Sequence, residues 1–179
     1  MFNEIELNNI SPKVHSFYTW IRQNIPDGST ILEFGSGQTS NQLGEYYKMY
    51  SVENNRSWIG KYSTVTYINA PIVNYINNDP FLQEFPMPNN GWYDIGAIKK
   101  GIPKKYNLII VDGPPGSNEQ NAGRGGFYKY LDEFDITVPM IFHDVNRQVE
   151  LMLVKKIAEK LNRKYEIISG QVPSAVIKS

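Results

Sequence analysis

The stretch TILEFGSGQTS, residues 30 to 40, decides how the rest of the chain is read. Thr30 to Phe34 form a short run of β-branched and apolar residues that carries one acid, Glu33, and Gly35-Ser36-Gly37 follow at once. An apolar run of this length bounded by glycine is the pattern of a buried strand entering a tight turn, with a helix to follow. Glycine lets the backbone turn sharply and come close to a ligand. A dinucleotide-binding turn reads G-x-G-x-x-G, and its third glycine lets the helix pack closely on the strand. Here that third position is Ser40, so the dinucleotide pattern is incomplete. An acid two residues before the first glycine suits another ligand, because a carboxylate accepts hydrogen bonds from the ammonium of an amino-acid moiety.

Outward from this stretch, apolar strands and amphipathic helices alternate. Upstream, Ser11-Pro12 marks a helix start, and Val14, Phe17, Ile21 and Ile25 form a stripe that Pro26-Asp27-Gly28 stops, so residues 1–28 read as an N-terminal helical cap. Downstream, a helix is expected from about Thr39 to Lys48, a strand over Met49–Glu53, a short helix over Asn55–Tyr62 and a strand over Val65–Ile68. Residues 69–105, with five prolines and the pair Trp92-Tyr93, read as a helix-poor, substrate-facing insertion. Leu108–Val111 is the next strand, ending on Asp112 before Gly113-Pro114-Pro115-Gly116. A helix from about Phe127 to Asp135, a strand over Val138–Phe142 and a helix over Asn146–Leu161 follow, the last with Val149, Leu153, Ile157 and Leu161 on one face. Tyr165–Ile168 and Ser174–Ile177 close the chain as a strand pair around Gly170. This order predicts one α/β domain over residues 1–179: a doubly wound, mostly parallel seven-stranded sheet with helices on both faces and the last strand antiparallel.

The bulk numbers narrow the function. Lys+Arg and Asp+Glu are both 18 in 179 residues, and no basic stripe is visible, which argues against nucleic acid as the main partner. With no cysteine, thiolate metal sites and disulfides are excluded. MFNEIELNN lacks the basic-then-apolar pattern of a signal peptide, and no apolar run approaches the ~20 residues needed to span a bilayer, so a cytoplasmic location is expected.

In doubly wound sheets ligands bind beyond the carboxyl ends of the strands. Glu33, Glu53, Asp112 and Asp144 all stand at or just past such ends and are expected to face one crevice. Glu53 follows Gly35 by 18 residues, a spacing at which a strand-end acid accepts from the hydroxyls of a ribose. His143, one of two histidines, is a candidate proton acceptor, its unperturbed pKa being ~6.5; the other, His15, reads as structural. Asp112 and Asp144, with Asn146 nearby, form an oxygen-rich group that suits Mg²⁺, although Asp144 equally suits a helix N-cap. Arg124, among glycines, is placed to reach an anionic acceptor, and the 113–126 segment has the composition of a lid. Trp92-Tyr93 reads either as an aromatic platform for a sugar or as core.

These motifs resemble those of class I S-adenosylmethionine-dependent methyltransferases over about Thr30 to Ile177. ILEFGSGQTS resembles their glycine-rich first motif, YSVENN their ribose-binding second, and YNLIIVDGPPG the motif that ends strand four. WYD, VDGPPG and FHDVNR are similar to small bacterial and viral-type members and to the sugar or polysaccharide O-methyltransferase branch. The chain departs from the usual pattern at Thr39, where a third glycine is common, and at Ala70, where an acid often stands. The resemblance implies S-adenosyl-L-methionine as cofactor, held by Glu33, Phe34, Gly35, Ser36, Gly37, Glu53, Asn54, Ala70 and Asp112. It implies Asp112, His143 and Asp144 as the catalytic group, a hydroxyl of a small molecule or glycan as methyl acceptor, and leaves Mg²⁺ and a homo-oligomeric state open. Two other readings remain: a catalytically silent nucleoside-binding protein of the same fold, and a nicotinamide-dependent oxidoreductase, which Ser40 disfavours.

Overall fold

A computed structural model describes residues 15–84, 90–116 and 123–179. Seven strands form the main sheet: β1 (Thr30–Phe34), β2 (Lys48–Glu53), β3 (Val65–Asn69), β6 (Leu108–Val111), β7 (Met140–Phe142), β8 (Tyr165–Ile168) and β9 (Ser174–Ile177). Their order across the sheet is β3-β2-β1-β6-β7-β9-β8. The pairings from β3 to β7 are parallel, and β9 runs antiparallel to both β7 and β8. The doubly wound, mostly parallel arrangement expected from the sequence is therefore the one adopted. The chain winds from β1 through β2 to β3 on one side and from β6 to β7 on the other, so strand order reverses between β1 and β6.

Period-two alternation sorts the strand residues between two apolar layers. Leu32, Phe34, Ile109 and Val111 enter one layer, with Trp92, Phe127, Leu153 and Ile157. Ile31, Leu108, Ile110, Ile141 and Val176 enter the other, with Phe17 and Ile21 of the helix α1 (His15–Asn24) and Leu43 of α2 (Gln38–Gly44). On that second face Glu33 takes the place an apolar residue would fill. The start of the first helix, with Ser11, Pro12 and Val14, lies outside the described residues, as does the side chain of His15.

Four stretches differ from expectation. No helix forms over 55–62: residues 56–60 are turns and the flanking residues are irregular. Asn55 Oδ1 accepts from the backbone and hydroxyl of Ser57 (3.0 and 2.8 Å), and Gly60 adopts φ +77°, so side-chain bonding and a left-handed residue divert the backbone. The 69–105 segment is more regular than expected. It holds the antiparallel pair β4 (Ile72–Asn74) and β5 (Gly91–Tyr93), and the helices α3 (Pro80–Glu84) and α4 (Ile95–Gly101). Asp94 caps α4 by accepting from Ala97 N–H at 2.8 Å. The helix expected over 127–135 is instead α5 (Gly125–Lys129) followed by a 3₁₀ turn, Leu131–Glu133. The last helix, α6 (Gln148–Leu161), begins two residues later than expected.

Trp92 and Tyr93 are core, not a sugar platform: neither exceeds 1 % exposure. Trp92 stacks on Tyr130 at 5.7 Å and packs against Phe34, Phe127 and Phe134. Gly126 is what lets the indole fit, because a Cβ there would lie 2.1 Å from Trp92 Cγ. At Gly37 the backbone is extended (φ −158°) and a Cβ would meet nothing within 4 Å. Gly126→Ala is therefore expected to lower unfolding free energy by about 3 kcal/mol, as overpacking of a filled core does, whereas Gly37→Ala stays within about 0.5 kcal/mol of the parent. Urea denaturation of the two variants side by side checks both.

Candidate active site at the strand ends

β1 ends where its backbone must turn past β6. Gly35 takes φ +88°, and its N–H donates to Val52 C=O at 2.9 Å. A Cβ on Gly35 would lie 2.9 Å from Gly113 Cα, and one on Gly113 would lie 2.7 Å from Gly35 Cα and 2.5 Å from the Tyr93 hydroxyl. The two glycines thus let the turns after β1 and β6 touch backbone to backbone. Ser40 begins the next link: its hydroxyl accepts from Gly37 N–H at 2.9 Å and its own N–H donates to Gly37 C=O at 3.2 Å. The residue that spoils the dinucleotide pattern is fully buried and locks the turn.

Glu53, at the end of β2, ties two turns together. One carboxylate oxygen accepts from Ser36 N–H (2.9 Å), and the other from Asn54 and Asn55 N–H (2.8 Å each). Gly35, Ser36, Glu53, Asn54 and Asp112 share one cavity of about 200 Å³, together with Asn55, Trp58 and Pro115. This hollow lies at the β1/β6 reversal, where the topology rule places a ligand. A roomier hollow of about 470 Å³ is lined by residues 163–166, 178 and 179, at the β8 edge. It has no strand-end acid of the β1–β7 group, and its Glu166 is bound to Lys178 at 2.7 Å.

Six site residues expected from the sequence, Glu33, Phe34, Gly37, Ala70, His143 and Asp144, do not line the cavity around Glu53. Ala70 is fully buried behind it, its N–H donating to Glu53 C=O at 3.0 Å. Phe34 points into the aromatic layer. Glu33 is 2 % exposed and accepts from the Ser51 hydroxyl on the neighbouring strand. Burial pushes its carboxyl up to about 8, against the bonds from Ser51 and Ser40, and the charges of Asp112 and Glu53 push the same way. His143 is enclosed: Phe17 meets its ring edge-on at 5.0 Å, and Nδ1 is 3.0 Å from the Ser174 hydroxyl. Desolvation lowers its pKa, so the imidazole is neutral at pH 7.

The fourth strand-end acid belongs to a separate charge network. Asp144 adopts φ +60° and does not cap α6, whose N-cap is Arg147. Its carboxylate binds Arg147 and Arg124, the latter at 2.9 Å. Arg124 also reaches Asp112 Oδ1 at 3.1 Å and donates to His143 C=O at 2.7 Å. At 3 % exposure, Arg124 is not free to bind an anionic acceptor, as its glycine-rich context suggested, but clamps the ends of β6 and β7. Residues 117–122 of the expected lid lie outside the described residues.

Sequence reasoning missed Asn55, Trp58 and Pro115 as lining residues. The helix on which the sequence places Trp58 does not form. Its ring is half-buried with Lys61 Nζ at 3.9 Å, and the signal for its place in the pocket wall is its closeness in sequence to Glu53.

No protein-family model matches the chain, and no curated protein matches it in sequence. Solved structures do. A methyltransferase from Pyrococcus furiosus superposes with a TM-score of 0.57 at 14% identity, over 94% of this chain and 82% of that one. The E. cuniculi Mtq2-Trm112 complex, responsible for methylating the eRF1 translation termination factor, gives 0.54 at 10% identity over 96% and 98%. The Podospora anserina methyltransferase PaMTH1, bound to S-adenosylhomocysteine, gives 0.50 at 12% identity over 99% and 82%. At these identities the likeness is one of fold: the chain has the Rossmann-like fold of class I S-adenosylmethionine-dependent methyltransferases.

Proposed function

We propose that this protein binds S-adenosyl-L-methionine at the β1/β6 reversal and transfers its methyl group to a hydroxyl of a small molecule or glycan. The observation that carries the reading is the shared cavity: Gly35, Ser36, Glu53, Asn54 and Asp112 arrive from three strand ends and line one hollow. The chain's own groups fit the ligand. Gly37, next in the same turn though not in the cavity wall, has open space where a side chain would stand, which leaves room for the methionine portion to extend from the cavity. A carboxylate offers about four lone-pair sites, and backbone amides take three of those on Glu53, so it is matched to one ribose hydroxyl rather than to both. The Trp58 ring offers an apolar wall for the adenine, and Ala70 contributes from behind by holding Glu53.

When bound, the sulfonium supplies an electrophilic methyl group. The cavity carries Glu53 and Asp112, and their carboxylates favour a cation there. Methyl transfer asks for an in-line approach and removal of the acceptor proton, so positioning supplies most of the acceleration. Asp112 lines the cavity and is the group placed to take that proton. His143, enclosed and neutral, and Asp144, held by two guanidiniums, act from behind by fixing the end of β7. The enclosure of His143 is also the observation that favours a second reading, a binding protein without turnover. Binding of S-adenosylmethionine with no product on a panel of hydroxyl acceptors distinguishes it. Among the described residues no helix is long and apolar enough to cross a membrane.

Calorimetric titration with S-adenosylhomocysteine tests the site. Binding is expected, and Gly37→Val and Glu53→Ala are each expected to weaken it at least about tenfold, a loss of ~1.4 kcal/mol. Equal affinity in all three proteins sinks the assignment. Glu33 gives a second readout. Its carboxyl holds a proton below about pH 8, and a cationic ligand in the cavity of Glu53 and Asp112, whose charges reach Glu33, favours losing that proton. Binding at pH 7 should therefore release a proton, seen as an enthalpy that varies with the buffer's heat of ionisation, and Glu33→Gln should abolish the variation.

The same carboxyl sets a stability signature. With its folded pKa raised from 4.5 to about 8, Glu33 contributes fully below pH 4.5, and that contribution drains away as the pH rises to about 8. Glu33→Gln mimics the protonated form at every pH. The variant's advantage in unfolding free energy should thus grow from pH 5 to pH 8 by a few kcal/mol and then level off. Chemical denaturation across that range measures it.

A further inference from the structure

Asp112 and Asp144, at the ends of adjacent strands, are the pair that the sequence offers to a divalent cation. A Mg²⁺ ion bridging them would need oxygen ligands at about 2.0–2.1 Å and room for its own waters. The structure fills that position with a side chain. One terminal nitrogen of Arg124 lies 3.1 Å from Asp112 Oδ1 and 2.9 Å from Asp144 Oδ2, and also donates to the Asp112 C=O at 3.1 Å. The other donates to the His143 C=O at 2.7 Å, so the guanidinium grips the backbone after both strands as well as both carboxylates. Arg147 takes the same oxygen of Asp144 from the solvent side. Glu150, buried on α6, faces Arg124 Nε at 3.8 Å and Arg147 at 4.0 Å.

The ligands that a metal would need are accordingly committed elsewhere. His143 turns Nδ1 to Ser174, and its Nε2 stands 3.8 Å from Asp144. Among the described residues, no three His, Cys, Asp or Glu side chains are grouped to hold a metal ion. Any divalent ion entering between the two aspartates would sit against two guanidiniums. Three carboxylates and two guanidiniums leave this network with one negative charge, so it needs no further cation to be near balance.

We propose that Arg124 is a resident cation: it takes the place of the divalent ion that paired strand-end carboxylates invite, and it positions Asp112 and Asp144 so that the rim is assembled without metal. The guanidinium suits this task because it is always charged and presents several donors in a fixed plane, which lets one group bind two carboxylates and two carbonyls together. Arg124 is a positioning residue, for it acts through Asp112 and Asp144. The inference concerns the same rim as the proposed methyl transfer but needs no nucleoside, so the two can fail separately.

Mn²⁺ titration of the apoprotein, read by paramagnetic relaxation of water protons, provides the test. The parent should take up no Mn²⁺ below about 1 mM. A tighter site in the parent that Asp144→Asn removes overturns the inference. Arg124→Ala leaves the two carboxylates without their partner. It should lower Tm by roughly 10 °C and gain a Mn²⁺ site at least about tenfold tighter than the parent's, lost again on adding Asp144→Asn. Mn²⁺ or methylguanidinium should recover part of the Tm. A folded Arg124→Ala protein with no new metal affinity overturns the proposal. If Arg124→Ala does not fold, the triple variant Arg124→Met/Asp112→Asn/Asp144→Asn removes the charges together and should fold. Failure of the triple variant as well would mean that Arg124 is needed for something other than charge, and this too overturns it.

Discussion

Like charges brought to one rim must be kept from pushing it apart, and the strand ends of this protein are organised around that constraint. Two unit charges 4 Å apart repel by about 4 kcal/mol at an effective dielectric near 20. Each acid meets the problem differently. Glu33 stays protonated inside the second apolar layer. Glu53 spreads its charge over three backbone amides. Asp112 and Asp144 share Arg124, and Asp144 adds Arg147. These devices also determine the backbone. The amides that quiet Glu53 belong to the turns after β1 and β2, and the carbonyls that Arg124 binds belong to the segments after β6 and β7. Charge compensation and loop geometry are therefore one arrangement.

That coupling explains why some of the molecule can be read from its sequence and some cannot. The parallel strands were legible because each is a short apolar run with a turn signal at its end, and the two layers follow from alternation alone: Leu108 and Ile110 face one way, Ile109 and Val111 the other. Glu53 and Asp112 were legible as rim residues because one ends β2 and the other follows β6, at the carboxyl edge of the sheet where ligands bind. Spacing along the chain does not reveal which distant side chain will neutralise which acid. Arg124, among glycines, reads from the sequence as reaching an anionic acceptor, yet it is 3 % exposed because Asp112, Asp144 and two carbonyls all draw it inward.

The misread segments have local causes too. Asn55 and Ser57 satisfy each other before a helix can start, which turns Trp58 from a helix residue into a cavity wall. Within 69–105, five prolines hid a capped helix whose signal, Asp94 ahead of Ile95-Gly96-Ala97-Ile98, was present but weak. The pair Trp92-Tyr93 carries no periodicity of its own. Its burial depends on Gly126, more than thirty positions away, having no side chain.

The bond between His143 and Ser174 spans 31 positions and joins the end of β7 to the start of β9, beside a backbone bond from Val145 N–H to Pro173 C=O at 3.1 Å. Two points of attachment make a hinge stiff. The closing hairpin of β8 and β9 is thus more than an ornament on the sheet's edge. It braces the histidine whose carbonyl Arg124 grips, so an alteration at Ser174 should be felt at Asp112 without any change to the pocket wall itself.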